Sequence, residues 1–153
     1  MRLAILTASF LPNVGGAQVF AHNLSRELAA SGNTVDVYVP AEDFRALDGR
    51  IRDLLRPLPM RFFGLANRIP FLGLFWAQQY LLRRQRREGY DAWLVVGTTP
   101  GGYVASCLTS KVPVVLVAMG EDIQKSAELD YGLRMNSAQE AKVVRALESC
   151  SKL

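Results

Sequence analysis

Two adjacent glycines, Gly15 and Gly16, stand at the end of a loop that joins an apolar run of strand length to a segment with helical spacing. A helix N-terminus presents unpaired backbone N–H groups and the positive end of the helix dipole, and glycine lets an anion approach that backbone closely. The spacing is neither that of the dinucleotide motif nor that of the P-loop. The pair therefore predicts a phosphate or diphosphate site, with a tight turn that binds nothing as the alternative.

The loop, residues 9–16, belongs to a strand-loop-helix-strand unit. Residues 3–6 form the apolar run, residues 18–30 carry apolar side chains at helical spacing, and residues 35–39 read as the next strand after Gly32. About forty residues of this kind form the repeating unit of parallel α/β sheets.

Two further loops follow predicted strands. Residues 97–102 are glycine-rich and follow an apolar strand at residues 91–96, while residues 119–124 follow the apolar strand 112–118. With at least four strands alternating with helices, the pattern predicts an α/β fold with a doubly wound, Rossmann-like parallel sheet. Ligands of such sheets bind at the carboxyl ends of the strands, so all three loops are expected to line one cleft. The candidates for cleft or acceptor contacts are Asn13, Thr98, Gly120, Glu121 and Asp122.

Glu121 and Asp122 are the only acids in a predicted cleft loop. If that loop is extended, the two neighbouring side chains point to opposite sides. The alternative to a role in the site is that Asp122 caps the loop and Glu121 faces solvent.

The remaining segments give weaker signals. Residues 41–55 read as a short helix or an irregular connection that Pro57 and Pro59 end. Residues 60–75 do not suit one uninterrupted helix and are predicted to be a buried loop or an exposed apolar segment. A helix is expected from about residue 72 to residue 88, and Ser137 is expected to cap a last amphipathic helix.

Composition and charge limit the classes of protein. The 153 residues are half apolar and have a net charge of +4, which predicts one folded unit spanning 1–153. Between Phe44 and Arg87 there are ten arginines, no lysine and two acids, so the basicity is regional. This distribution argues against a nucleic-acid binder that is basic all over, and for one face that meets an anionic partner.

Cysteine usage and hydropathy predict the compartment. Cys107 and Cys150 form neither a disulfide framework nor a metal-ligand cluster, so no metal is expected. The start of the chain lacks a signal-peptide pattern, and no apolar run reaches the roughly 18 residues of a bilayer span. The sequence therefore predicts a cytoplasmic protein.

Motifs at both ends of the chain resemble the N-terminal domain of retaining glycosyltransferases of the GT-B fold, family four (group one). The first motif consists of Pro12, Gly15, Gly16, Leu24, Leu28, Ala29, Gly32 and Val35. The second consists of residues 120–124 followed by residues 131–134. The resemblance implies half of a GT-B architecture in an enzyme that transfers a sugar from a nucleotide-diphosphate sugar to a glycan, lipid-linked or small-molecule acceptor. The donor is a substrate, and no cofactor is implied.

In that family the N-terminal domain mostly binds the acceptor, and a second Rossmann-like domain, absent from this chain, holds the nucleotide sugar. Gly15 and Gly16 match the glycines whose backbone faces the donor diphosphate. Met119 stands where many relatives have a histidine, and methionine cannot exchange a proton, so the catalytic residue stays unknown. The single histidine, His22, lies in the first predicted helix and is expected to be structural or at the surface.

The leading hypothesis is an acceptor-side glycosyltransferase domain that is inactive in isolation. One alternative is a non-catalytic Rossmann-like module that binds a nucleotide or a phosphorylated metabolite. Another is a domain that docks on an anionic membrane surface through residues 60–87, which combine arginines with aromatic side chains. Its basic patch would comprise Arg83, Arg84, Arg86 and Arg87, whose alternative is a solvated helix end.

Overall fold

A computed structural model describes residues 1–12, 14–40, 43, 45, 55–58 and 70–150. Within these ranges, five parallel strands form one sheet in the order β3-β2-β1-β4-β5. The strands are β1 (Arg2–Thr7), β2 (Thr34–Pro40), β3 (Leu55–Leu58), β4 (Ala92–Val96) and β5 (Val114–Val117). The doubly wound, Rossmann-like α/β fold predicted from the sequence is confirmed.

The edge strand β3 was not predicted. Leu55 is the last residue of the predicted helix or irregular connection, but it pairs with Val37, and Leu58 pairs with Pro40. Pro57 lies inside this strand, which is tolerated because an edge strand has one side free of ladder hydrogen bonds. Of the segments predicted around it, residues 41, 42, 44, 46–54 and 59–69 lie outside the described part of the chain.

Two long helices agree with the sequence and a third has a different cap. The helices are α1 (Gly16–Ala30), α2 (Pro70–Glu88), α3 (Tyr103–Ala105), α4 (Gly120–Ile123) and α5 (Ser137–Ser149). A π-helical turn (Thr98–Gly102) precedes α3. The cap of α5 is Asn136 rather than the predicted Ser137, because the Asn136 side chain accepts bonds from the backbone N–H groups of Ala138 (3.0 Å) and Gln139 (3.3 Å).

The helices divide between the two faces of the sheet. Alternate residues of a strand point to opposite faces, and Ile5 and Val37 pack in one apolar cluster with Ala21 of α1. Leu6 and Trp93 pack on the other face in a cluster that contains Leu81 of α2. The same cluster includes α3 and Ala146 of α5. The sheet is therefore covered from both sides.

A buried polar network under α2 starts at Asp36, which is 3% exposed. Its carboxylate accepts a hydrogen bond from the Tyr90 hydroxyl at 2.7 Å and pairs with Arg56 at 2.8 Å and Arg2 at 3.4 Å. Burial and the hydrogen bonds with Tyr38 and Asp36 raise the pKa of Tyr90 above its ordinary value. The network thus anchors the start of β1 to β2 and to Tyr90, two residues before β4.

Candidate functional site

The carboxyl ends of β1 and β4 mark the point where the order of the parallel strands reverses. These two strands are neighbours, with Thr7 opposite Val96. The helix that follows β1 covers one face, whereas the helical segment that follows β4 packs on the other. Such a switch point opens a crevice outside the strand ends, which is where open α/β sheets bind ligands. Because β5 pairs with β4, the loops after β1, β4 and β5 leave the same edge. Their predicted convergence is confirmed at the level of topology.

Three hydrogen bonds that involve side chains hold the loop after β1. The Thr7 hydroxyl donates to the Ser9 carbonyl at 2.7 Å, and the Gln18 amide donates to the Ser9 hydroxyl at 2.9 Å. Phe10 is fully buried, and its backbone N–H donates to the Asp43 carboxylate at 2.7 Å. Asp43 is a positioning residue that the sequence analysis missed, since one acid after a strand is no distinctive signal. Asn13 lies outside the described residues.

Gly15 and Gly16 form the N-terminus of α1. Gly15 is the N-cap with extended backbone (φ −161°, ψ 171°), and Gly16 is the first residue of the helix. Neither glycine adopts the left-handed region that only glycine enters readily. A turn that depended on glycine would need that region, so the alternative of a simple tight turn loses its conformational argument.

The space beside Gly16 is open, whereas the Gln18 side chain lies beside Gly15, where an added Cβ would be 2.5 Å from the amide oxygen. A Cβ added at Gly16 would meet no heavy atom of the described chain within 4 Å. Neither a side-chain cap nor an acid in the first turn is present in the described part of α1. The first N–H groups of a helix have no intrahelical acceptor. The arrangement can therefore bind an anion through backbone N–H groups and the helix dipole.

Asp122 joins the loops after β4 and β5. Its side chain is buried, and its Oδ2 atom accepts from the N–H of Met119 at 2.9 Å and from the N–H of Thr98 at 3.2 Å. Residues 119–124 were expected to be extended, but they contain the short helix α4. Glu121 is exposed, as is Gly120. Of the two interpretations left open, a capping role for Asp122 with Glu121 in solvent is the one that this geometry supports.

The glycine-rich turn after β4 is tightly packed. Gly97 has a positive φ of 91°, and its N–H donates to the Val117 carbonyl at 3.0 Å. Thr98 is fully buried, and its hydroxyl has no hydrogen-bond partner among the described residues. A Cβ added at Gly102 would lie 3.0 Å from a Leu116 methyl group. Thr98 therefore lies beneath the surface of the crevice and holds the loop through its backbone.

The structure assigns no proton-transfer role to Met119 or His22. Met119 is partly buried and packs against the apolar cluster under α1. The His22 ring is edge-on to Phe10 at 6.1 Å, and its Nδ1 atom is buried without a partner in the described part of the chain. His22 thus packs within the fold, as expected, and the catalytic residue stays unassigned.

The four arginines at the end of α2 have different environments. Arg84 donates to the Tyr38 hydroxyl at 2.9 Å and pairs with Glu88 at 3.2 Å. Burial lowers the pKa of Arg84, but the hydrogen bond to Tyr38 and the charge of Glu88 outweigh this effect and raise it. Arg83, Arg86 and Arg87 are exposed. Arg84 therefore belongs to the polar network under α2, and a basic, anion-binding patch on this helix can use only the other three.

None of the described helices combines the length and the apolarity that a bilayer span requires. Phe75 and Trp76, near the start of α2, are 52% and 43% exposed. The other aromatics of the predicted patch are Phe62, Phe63 and the side chain of Phe71, which lie outside the described part of the chain.

Comparison with known proteins supplies the family. A search of curated proteins gives no match for the chain. Residues 14–144 match the family model of Glycosyltransferase Family 4. The matched range contains the glycine pair at the start of α1, both loops that Asp122 joins and the second sequence motif. Because the match extends over most of its length, the chain belongs to Glycosyltransferase Family 4.

Proposed function

We propose that this chain is the acceptor-side domain of a glycosyltransferase that takes a sugar from a nucleotide-diphosphate sugar. The observation that carries the proposal is the crevice at the β1/β4 switch point, with the uncapped α1 N-terminus on one side. Two loops fixed by Asp122 form the other side. The acceptor is a glycan, a lipid-linked saccharide or a small molecule.

The donor diphosphate binds at Gly15 and Gly16. The extended backbone of Gly15 and the open space at Gly16 leave the first N–H groups of α1 accessible. Hydrogen bonds from N–H groups to a charged acceptor are about twice as strong as neutral ones. A bulky side chain at Gly16 would occupy the volume that the phosphate needs.

The acceptor binds along the loops that leave β4 and β5. Gly120 and Glu121 are exposed at the start of α4, and Asn13 is proposed as a further acceptor contact from its place in the sequence alone. Asp122 and Thr98 are buried, so they hold these loops in place and do not contact the acceptor. The domain acts by holding the acceptor near the donor, because positioning alone lowers the barrier of a two-substrate reaction by several kcal/mol.

A second domain completes the reaction. The leaving diphosphate must be stabilised by preorganised hydrogen-bond donors or cations, and the contacts to sugar and nucleotide come from a nucleotide-binding domain outside residues 1–153. The isolated chain is therefore inactive. Cys107 and Cys150 are free thiols, which suits the reducing cytoplasm, the compartment we propose.

The test is a nuclear magnetic resonance titration of the chain with inorganic pyrophosphate. We expect the largest shifts at the backbone amides of residues 15–18, with smaller shifts on the opposite edge of the sheet. If no amide near Gly16 responds, the proposed donor site is wrong. Sugar transfer by residues 1–153 alone would contradict the requirement for a second domain.

A non-catalytic module for a nucleotide or phosphorylated metabolite is the second candidate, favoured by Met119 in the place of the family histidine. Both candidates predict the same pyrophosphate shifts. They differ in turnover, because only the glycosyltransferase forms glycosylated product when the full-length protein is given a panel of nucleotide sugars and acceptors.

A further inference from the structure

We propose that the outer face of α2 docks on an anionic membrane surface. Steps of 100° per residue direct Ala77, Leu81 and Arg84 inward, in agreement with the burial of Ala77 and Leu81. The opposite side, here called the outer face, consists of Phe75, Trp76, Gln79, Arg83, Arg86 and Arg87. This proposal does not depend on sugar transfer.

The two halves of the outer face have different chemistry. Phe75 and Trp76 lie near the N-terminal end, about half exposed, with their rings edge-to-face at 5.9 Å. Arg83 and Arg86 lie two to three turns further along, and a rise of 1.5 Å per residue puts Arg86 about 16 Å from Phe75. Aromatic side chains that enter the headgroup region beside arginines that pair with lipid phosphates are the combination an interfacial helix uses.

The charges on α2 favour an anionic lipid surface as the occupant. The single acid of the helix, Glu88, is 16% exposed and pairs with Arg2 at 2.6 Å and with Arg84 at 3.2 Å. Glu88 also lies 3.6 Å from Arg87, which partly offsets that charge. The outer face is therefore cationic, and two copies of this face would repel each other. A soluble polyanion could pair with the arginines but would not desolvate the aromatic half.

The first experiment measures co-sedimentation of the protein with phosphatidylcholine vesicles that do or do not contain phosphatidylserine. We expect binding only with the anionic lipid, and weaker binding as the salt concentration rises. A basic residue near such a surface contributes about a fivefold factor in partitioning, so Arg83→Gln with Arg86→Gln should weaken binding about 25-fold.

The matched control is Arg26→Gln with Lys111→Gln. It removes the same charge from exposed positions outside α2, on α1 and before β5. We expect a much smaller loss, because these residues are not on the outer face. Arg84 is left unchanged, since its bond to Tyr38 would confuse binding with stability.

Tryptophan fluorescence tests the orientation. The chain has two tryptophans, and Trp93 is fully buried, so a blue shift on binding reports Trp76. Trp76→Phe should abolish the shift and keep most of the binding, whereas Phe75→Ser with Trp76→Ser should remove the salt-resistant part of the binding.

Three results would overturn the proposal. They are no binding to anionic vesicles, equal losses in the outer-face pair and the control pair, and binding without any change at Trp76. In the first case, binding to a single-stranded RNA would indicate a general polyanion site instead.

Discussion

Replacing Gly16 by valine should separate anion binding from folding. Gly16 is the first residue of α1, its φ lies outside the left-handed region, and the position of its Cβ is open. Valine has a slightly better helix propensity than glycine, so the free energy of unfolding should change by no more than about 0.5 kcal/mol. The added methyl groups would block the approach of a phosphate to the first turn.

The expected loss of affinity follows from the hydrogen bonds involved. One hydrogen bond to a charged group contributes about 1.5–3 kcal/mol, so the loss of one such bond weakens pyrophosphate binding roughly 10- to 150-fold. Isothermal titration calorimetry measures this affinity, and thermal unfolding of the same sample measures stability.

Gly89→Ala is a control with the opposite expected effects, namely lower stability and unchanged affinity. Gly89 follows α2 with a φ of 65°, at the other end of the sheet from the crevice. Alanine in that conformation costs about 1–2 kcal/mol, which lowers Tm by roughly 2–8 °C for a chain of this size. Pyrophosphate affinity should not change. Wild-type affinity in Gly16→Val would refute the donor-site reasoning.

Three further predictions concern buried groups. Asp122→Ala should lower the free energy of unfolding by about 2–3 kcal/mol and speed amide hydrogen exchange at Thr98 and Met119. Asp122→Asn keeps one acceptor oxygen, so its loss of stability should be clearly smaller. Equal losses of stability in the two variants would show that these two bonds do not matter. Asp36→Ala should cost about 1–3 kcal/mol in chemical denaturation, because it leaves the buried Tyr90 hydroxyl without its acceptor and two partly exposed arginines without their partner, and a loss below about 0.5 kcal/mol would contradict this role. Burial raises the pKa of the Cys107 thiol to about 11. Iodoacetamide should therefore alkylate Cys107 about 100-fold more slowly near pH 7.5 than a thiol with the ordinary pKa of 9, and the rate should rise steadily up to pH 11. A rate that levels off near pH 9 would exclude the raised pKa.

The first strand-helix-strand unit could be predicted because its signals are long and agree with each other. The apolar run of β1, the helical spacing in α1 and the glycine that follows the helix all favour the same structure. The position of the three loops at one edge of the sheet could then be predicted from the parallel topology alone.

The edge strand β3 could not be predicted in the same way. Four residues are too few to display an alternating pattern, and Pro57 argues against a strand unless the strand is known to lie at an edge. That knowledge comes only from the pairing of Leu55 with Val37.

Side-chain roles in the site depended on contacts between distant segments. Asp43 reaches the backbone of Phe10 across 33 positions of the chain, and Asp122 reaches Thr98 across 24. No local pattern encodes such distances. Asn136 and Ser137 are neighbours and both are good caps, so only the observed hydrogen bonds decide between them.

The bond from a single Asp122 oxygen to two loops has a mechanical consequence. The same carboxylate atom holds the backbone after β4 and the backbone before α4, and Gly97 is bonded in turn to the carboxyl end of β5. A ligand that shifts one of these loops must either carry the other with it or break a charge-assisted hydrogen bond. The two loops, which together form one wall of the crevice, therefore respond to ligands as a single rigid unit, and the freedom to adapt to different acceptors resides in the exposed side chains on that wall.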